Sequence, residues 1–241
     1  MLSKRRNIHH PKSMESTEYL DKLKNFHMDS DVVNYSIYMF KFICKYRKKY
    51  KFTNIYDIGS GSGDNSLLIR NIFGNNNLYS FDYVQHNLDH GVQQKKIINP
   101  VLTNIYELNN TVKNKKIPLA DFVFLGDVIE HLEDPDLAIK NIYESLSEGG
   151  VFVLHTPNKL YTEFFKQPLD PTHIHEFYPK ELSRLLKKHN FTILKFLPSS
   201  IPGLGKINSS ISQQVAYSSF GENLFKVVPI LGPSILVIAI K

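Results

Sequence analysis

A chain of 241 residues with 42% hydrophobic side chains suits one domain with elaborations and supports a sizeable core. It holds no run of 18 or more apolar residues, which argues against a transmembrane helix, and its single cysteine, Cys44, excludes an intrachain disulfide and suits a reducing, cytoplasmic setting. The formal charge of +6 is uneven: residues 1–51 hold 12 Lys/Arg against 5 Asp/Glu, while the remaining 190 hold 17 against 18, so a basic leader precedes a nearly neutral body.

Residues 1–50 read as a basic tail followed by two helices. Lys4, Arg5 and Arg6 have no apolar stretch behind them, so a secretory signal is not expected. Thr17–Phe26 is amphipathic, and Val32 to about Lys49 carries Val33, Ile37, Phe40 and Cys44 along one stripe. A leader of this charge can touch RNA, anionic lipid or an anionic substrate, although a solvated tail is the simpler expectation for Met1–Lys12.

The body, residues 51–241, opens on Asn54-Ile55-Tyr56-Asp57-Ile58-Gly59-Ser60-Gly61-Ser62-Gly63-Asp64. An apolar strand runs into alternating glycines and then a helix, in which Leu68 pairs with Ile72 and Ile69 with Phe73 at i, i+4 spacing. A glycine turn between strand and helix suggests a nucleotide-like ligand. The dinucleotide fingerprint needs a third glycine at position 64, where Asp64 would repel a diphosphate. The order D-x-G-x-G-x-G, with Asp57 at the strand end, suits instead a ligand carrying a cationic amino group.

Leu78–Tyr83 is the second strand, and Asp82 ends it 25 residues after Asp57. A carboxylate there can accept two hydrogen bonds from vicinal ribose hydroxyls, and Tyr83 is placed to lie along an adenine. Pro100–Asn104 reads as a third, edge strand and Leu119–Asp127 as the fourth. A helix opens at Asp134-Pro135 and runs through Leu146, ended by Ser147-Glu148-Gly149-Gly150; Val151–Thr156 is the fifth strand. Another helix starts at Pro179, Phe191–Phe196 is strand six and Ser234–Ile240 strand seven, with an insertion at about 197–233 and a helix around Ser212–Phe225 weakened by Gly221. Repeated strand-then-helix order with buried strands predicts a doubly wound, mostly parallel α/β sheet.

Asp57 through Gly63 resembles the first motif of the class I S-adenosylmethionine-dependent methyltransferases. Asp127-Val128-Ile129-Glu130-His131-Leu132-Glu133-Asp134-Pro135 resembles a signature of the branch containing the ubiquinone-biosynthesis O-methyltransferases. Glu148-Gly149-Gly150, Thr156-Pro157-Asn158 and Asp170–Phe177 agree, so the resemblance covers roughly Ile55–Phe196. It implies a Rossmann-like seven-stranded sheet with an antiparallel last strand. It also implies that Asp57 faces the methionine end of S-adenosylmethionine, that Gly59, Ser60, Gly61 and Gly63 make room for the cofactor, and that Asp82, Tyr83, Asn104 and Asp127 contact it. The leader helices would then form a lid, with Tyr35 or Tyr38 near the ligand.

Methyl transfer from a sulfonium needs alignment, exclusion of water and removal of a proton when the acceptor is a hydroxyl. His131, His173 and His175 are the candidate bases. Asp127, Glu130 and His131, spaced i, i+3, i+4, would share one face of a helical turn and, with His173 or His175, form a carboxylate–imidazole site for Mg or Zn, as in metal-dependent relatives. Those relatives have glutamate where this chain has Asp127. The absence of an Asn-Pro-Pro-Tyr-type motif after strand four argues against base-amine methylation, and the lack of a cysteine near the site excludes cytosine-C5 chemistry. Two acceptor classes stay open: a small molecule or lipid/glycan precursor methylated on oxygen, or RNA methylated at a 2′-oxygen with the basic leader on phosphate. A cofactor-binding protein without turnover is the third expectation, and no oligomeric state is read.

Overall fold

The computed structural model describes residues 52–74, 77–200 and 209–241. The basic tail, both leader helices, Tyr35 and Tyr38 lie outside them. β1 (Asn54–Ile58) leads to α1 (Asp64–Phe73), β2 (Asn77–Asp82) to α2 (Gln85–Gln93), and β3 (Asn99–Leu102) to a 3-10 turn and α3 (Leu108–Asn114). β4 (Ala120–Gly126) passes through a 3-10 turn at Ile129–His131 into α4 (Pro135–Ser145), and β5 (Leu146–Pro157) is followed by α5 (Lys159–Phe164) and α6 (Pro179–Lys188). β6 (Thr192–Pro198) connects through α7 (Ser209–Ala216) and α8 (Ser219–Val227) to β7 (Ser234–Ile240). The strand order is β3-β2-β1-β4-β5-β7-β6, with β7 running opposite in direction to the other six strands, as expected.

Side-chain alternation along the strands produces two cores. Ile55, Phe122, Phe124, Val151, Val153, Leu236 and Ile238 face one way, with Ile69 and Phe73 of α1 packed on them. Tyr56, Val123, Leu125, Phe152, Leu154, Ile235 and Val237 face the other, against Ala138, Ile139 and Ile142 of α4 and Leu182 and Leu186 of α6. Both faces are buried, so the strands read as apolar runs and not as alternating patterns. After β3 the chain crosses to the other side of β1. The carboxyl ends of β1 and β4 therefore flank the switch point where open α/β sheets hold ligands.

Several expected boundaries shift, β6 for example running to Pro198. β3 ends at Leu102, two residues early. α4 stops at Ser145, and the segment expected to terminate it already belongs to β5, which pairs Leu146 with Ala120 across a bulge. The helix expected over Ser212–Phe225 is two helices meeting at Ser218, whose hydroxyl accepts the Gly221 N–H (3.1 Å). Gly221 sits inside the second helix. A Cβ there would lie 2.2 Å from the Val215 carbonyl oxygen, so glycine permits the tight corner. The insertion packs on the sheet: Phe225 stacks on Phe196 (6.1 Å), and Glu222 is paired with Lys195 and with Lys226. Among the described residues no helix is long and apolar enough to cross a membrane.

Candidate active site at the carboxyl edge of the sheet

β1 stops at Ile58 and the chain turns at once, the N–H groups of Gly59 and Ser60 both donating to the Phe81 carbonyl at 2.8 and 3.0 Å. Gly59, Gly61 and Gly63 all have positive φ, but their surroundings differ. A Cβ on Gly59 would sit 2.3 Å from Val128 Cγ2 and one on Gly63 2.5 Å from Ile97 Cγ1, whereas on Gly61 it meets nothing within 4 Å among the described residues. Two glycines thus let neighbouring loops press on the turn, and Gly61 is where bare backbone faces open space.

Asp82 braces this turn. Its Oδ2 accepts the Gly61 N–H and its Oδ1 the Val84 N–H, each at 2.8 Å. Burial raises its pKa against the pull of those N–H groups. The Tyr83 N–H and the Asn87 side chain also bond to it, so the carboxylate anchors the glycine turn to the end of β2. Ser60 Oγ is buried with no partner among the described residues, as a site built for a polar ligand leaves it. Asp57, 1% exposed, accepts from Ser66 Oγ of α1 at 2.5 Å, and Ser66 in turn meets Ser80 at 2.7 Å. Burial lifts the Asp57 carboxyl to about 7, with the Ser66 bond opposing and Asp82 adding to the rise. Asp64 in the first turn of α1 is paired with Lys96 (2.6 Å), in keeping with a turn that does not receive a diphosphate. Tyr83 is half-buried beside Asp82, and Asn104 caps the 3-10 turn after β3, its Oδ1 accepting the Tyr106 N–H at 3.0 Å. This set fits the cofactor implied by the resemblance.

On the other side of the switch point, Asp127 takes a left-handed φ of +54°, rare for a residue with a side chain. Its N–H donates to the His155 carbonyl (3.0 Å), and its Oδ1 lies 2.9 Å from Nδ1 of the buried His155. The helical turn expected to gather Asp127, Glu130 and His131 therefore does not form: a single 3-10 turn at Ile129–His131 follows, and the Asp127 carboxylate is engaged by His155. The expected set loses one member here.

Glu130, His131 and His173 do come together, with one ligating atom from each within 4.8 Å of the others. Glu130 is completely buried; Oε2 accepts from Thr156 Oγ1 (3.0 Å), and Oε1 has no partner among the described residues. Nδ1 of His131 is 3.0 Å from the Thr172 carbonyl, which can only accept, so the proton sits on Nδ1 and Nε2 carries the lone pair of the neutral ring. Nδ1 of His173 is 2.9 Å from Glu176 Oε1, and the two imidazoles meet edge to face at 5.0 Å. Burial, reinforced by the charges of Asp127 and Glu176, pushes the Glu130 carboxyl well above the usual carboxylate range. Burial also lowers His131, with His173 adding to the shift and the Thr172 carbonyl opposing it. His175 is diverted: its Nε2 lies 2.8 Å from Glu181 Oε1, outside the cluster.

The backbone welds this group together. The N–H groups of Ile174 and His175 both donate to the Glu130 carbonyl, at 2.8 and 3.0 Å, and Phe177 bridges to Asn158 after β5. His155, Thr156, Thr172 and Glu176 are the members not singled out from sequence. Thr156, Thr172 and Glu176 lie in recognised motifs, but no periodicity tells which of their side chains converge.

A family model described as a methyltransferase domain matches residues 35–195. A Mycolicibacterium smegmatis protein, described as a probable S-adenosylmethionine-dependent methyltransferase, is 35% identical over 74 residues; the match spans 30% of this chain and 29% of that relative. Among solved structures, an S-adenosylmethionine-dependent methyltransferase from Archaeoglobus fulgidus superposes with a TM-score of 0.59 at 19% identity, covering 94% of this chain and all of that one. The magnesium protoporphyrin IX methyltransferase of Synechocystis, solved with S-adenosylhomocysteine, gives a TM-score of 0.63 at 12% identity over 95% and 96% of the two chains. These structures share the fold, and the family model spans the glycine turn, Asp82 and the Glu130–His131–His173 cluster. The chain belongs to the class I S-adenosylmethionine-dependent methyltransferase family.

Proposed function

We propose that the chain transfers the methyl group of S-adenosylmethionine to a hydroxyl oxygen of a small molecule or lipid/glycan precursor, in the manner of the branch that includes the ubiquinone-biosynthesis O-methyltransferases. The observation that carries this reading is the Glu130–His131–His173 cluster beyond β4, facing the switch point from the side opposite Gly61 and Asp82. A neutral amine attacks a sulfonium through its own lone pair, but a hydroxyl must lose a proton. A neutral imidazole presenting Nε2 is the group suited to take it, and His131 is held in that form. In this reading Gly61 and the Ser60 hydroxyl receive the cofactor, Asp82 its ribose and Asp57 its methionine end, while Tyr83 and Asn104 border the adenine. Attack is in line, and the sulfonium supplies its own activation.

Glu130, His131 and His173 are also the residues that would hold a divalent cation such as Mg²⁺ or Zn²⁺, while Asp127, engaged by His155 through Oδ1, lies outside that group. A bound cation supplies Lewis acidity, lowering the pKa of a coordinated hydroxyl. The RNA reading rests on the basic leader, which lies outside the described residues, and no structural observation favours it.

The test is S-adenosylhomocysteine formation by the purified full chain with 3,4-dihydroxybenzoate, 4-hydroxybenzoate, histamine and total small RNA as acceptors. Turnover confined to hydroxylated acceptors, and cut 10²- to 10⁴-fold in His131→Gln, is expected for proton removal at this cluster. Turnover with histamine or RNA alone overturns the acceptor assignment. Loss of activity in EDTA restored by Mg²⁺ or Zn²⁺ establishes the cation, and full activity in EDTA removes it.

A further inference from the structure

We propose that Glu176 is a positioning residue for the transfer: it fixes the imidazole of His173 in the Nδ1–H tautomer and so turns the Nε2 lone pair over to the acceptor site shared with Glu130 and His131. This rests on reading that cluster as the acceptor site.

The geometry is that of a carboxylate–imidazole pair. Glu176 Oε1 lies 2.9 Å from His173 Nδ1, and the two side chains are only 6% and 15% exposed. Both ends of the segment are anchored. The His173 N–H donates to the Asp170 carbonyl, the next two N–H groups donate to Glu130, and the Phe177 carbonyl accepts from Lys159 N–H at 3.1 Å. With the backbone fixed, what remains free is the location of one ring proton, and the partner of the opposite nitrogen decides that. His131 has its proton placed by a backbone carbonyl, and His175 meets Glu181 through Nε2 instead. Among these three histidines, His173 alone has Nδ1 set by a side chain.

Glu176 is also expensive to keep. Its Oε2 is buried without a partner among the described residues, and a buried carboxylate oxygen left unpaired is costly. Simple packing at this position would be met better by an apolar chain of the same length. The carboxylate is explained by what it does to His173.

The tautomer can be read directly. Full-length protein selectively ¹⁵N-labelled at histidine, with S-adenosylhomocysteine bound, is examined by long-range ¹H–¹⁵N correlation, and His173 is assigned by the signals lost in His173→Gln. Wild type is expected to show His173 as Nδ1–H. Glu176→Met, which keeps the volume and removes the acceptor, should shift His173 toward the Nε2–H form that free histidine favours. Glu176→Gln, which retains a carbonyl acceptor, should restore Nδ1–H. The Kd for S-adenosylhomocysteine, measured by calorimetry, should stay within about 2-fold of wild type in both variants. A wild-type His173 protonated on Nε2 overturns the proposal even if neither variant folds, and so does an unchanged tautomer in folded Glu176→Met. Failure of wild type to bind S-adenosylhomocysteine would instead sink the methyltransferase reading, which the tautomer measurement in ligand-free protein does not touch.

Discussion

At the scale of single residues, the three glycines of the turn make separable claims. Gly61→Ala places a side chain at φ +53 without a clash among the described residues, so it costs about 1–2 kcal/mol of left-handed strain. It should leave a folded protein whose affinity for S-adenosylhomocysteine drops at least 10-fold by calorimetry. Gly59→Ala, driven into Val128, should lower the melting temperature further than Gly61→Ala does. The buried acid beneath the cofactor turn gives a pH signature. Asp57, with a folded-state pKa of about 7, ionises later in the folded chain than in the unfolded one. Its contribution is therefore nil below about pH 4, grows more destabilising as pH rises to about 7, and levels off above that at roughly 4 kcal/mol at most. Urea denaturation at pH 4.5 and 8 should show wild type losing more stability over that interval than Asp57→Asn. Asp57 and the glycines were legible in the sequence because spacing alone marks a strand–glycine turn–helix. The Ser66 hydroxyl that donates to Asp57, and the Ser80 hydroxyl that Ser66 meets in turn, were not, since their approach depends on tertiary packing.

At the scale of elements, the strands were readable because a parallel sheet buried on both faces writes itself as apolar runs bounded by turn residues. The turn after β4 was not. An i, i+3, i+4 argument presumes 3.6 residues per turn, but β4 exits through a left-handed Asp127 into a 3-10 turn with three residues per turn, which sends the Asp127 side chain elsewhere. The fate of His175 had no sequence signal either, since it hinges on Glu181 in α6. The α7–α8 corner gives an element-level prediction. Gly221→Ala would bring its methyl to 2.2 Å and 2.5 Å from the Val215 and Ala216 carbonyl oxygens, so a loss of about 2 kcal/mol or more is expected in thermal or urea melts. The same substitution should leave the Kd for S-adenosylhomocysteine unchanged, because the corner lies on the β6 side of the sheet, away from the glycine turn.

At the scale of the whole molecule, cofactor binding should add to global stability by mass action. S-adenosylhomocysteine at 100 times its Kd should stabilise the fold by about 2.7 kcal/mol, visible as a raised melting temperature that Asp82→Ala abolishes. The strand order has a further consequence. Of the residues expected at the methyl donor, all but Asp127 precede the crossing from β3 to β4, and the cluster from Glu130 to Glu176 follows it. The contact of Val128 with Gly59 is one seam between these halves. Under the proposed assignment, one genetic crossover between Asn114 and Ala120 would exchange the acceptor cluster and leave the glycine turn and Asp82 unchanged. A lineage built this way can diversify its substrates by recombination while inheriting its chemistry intact.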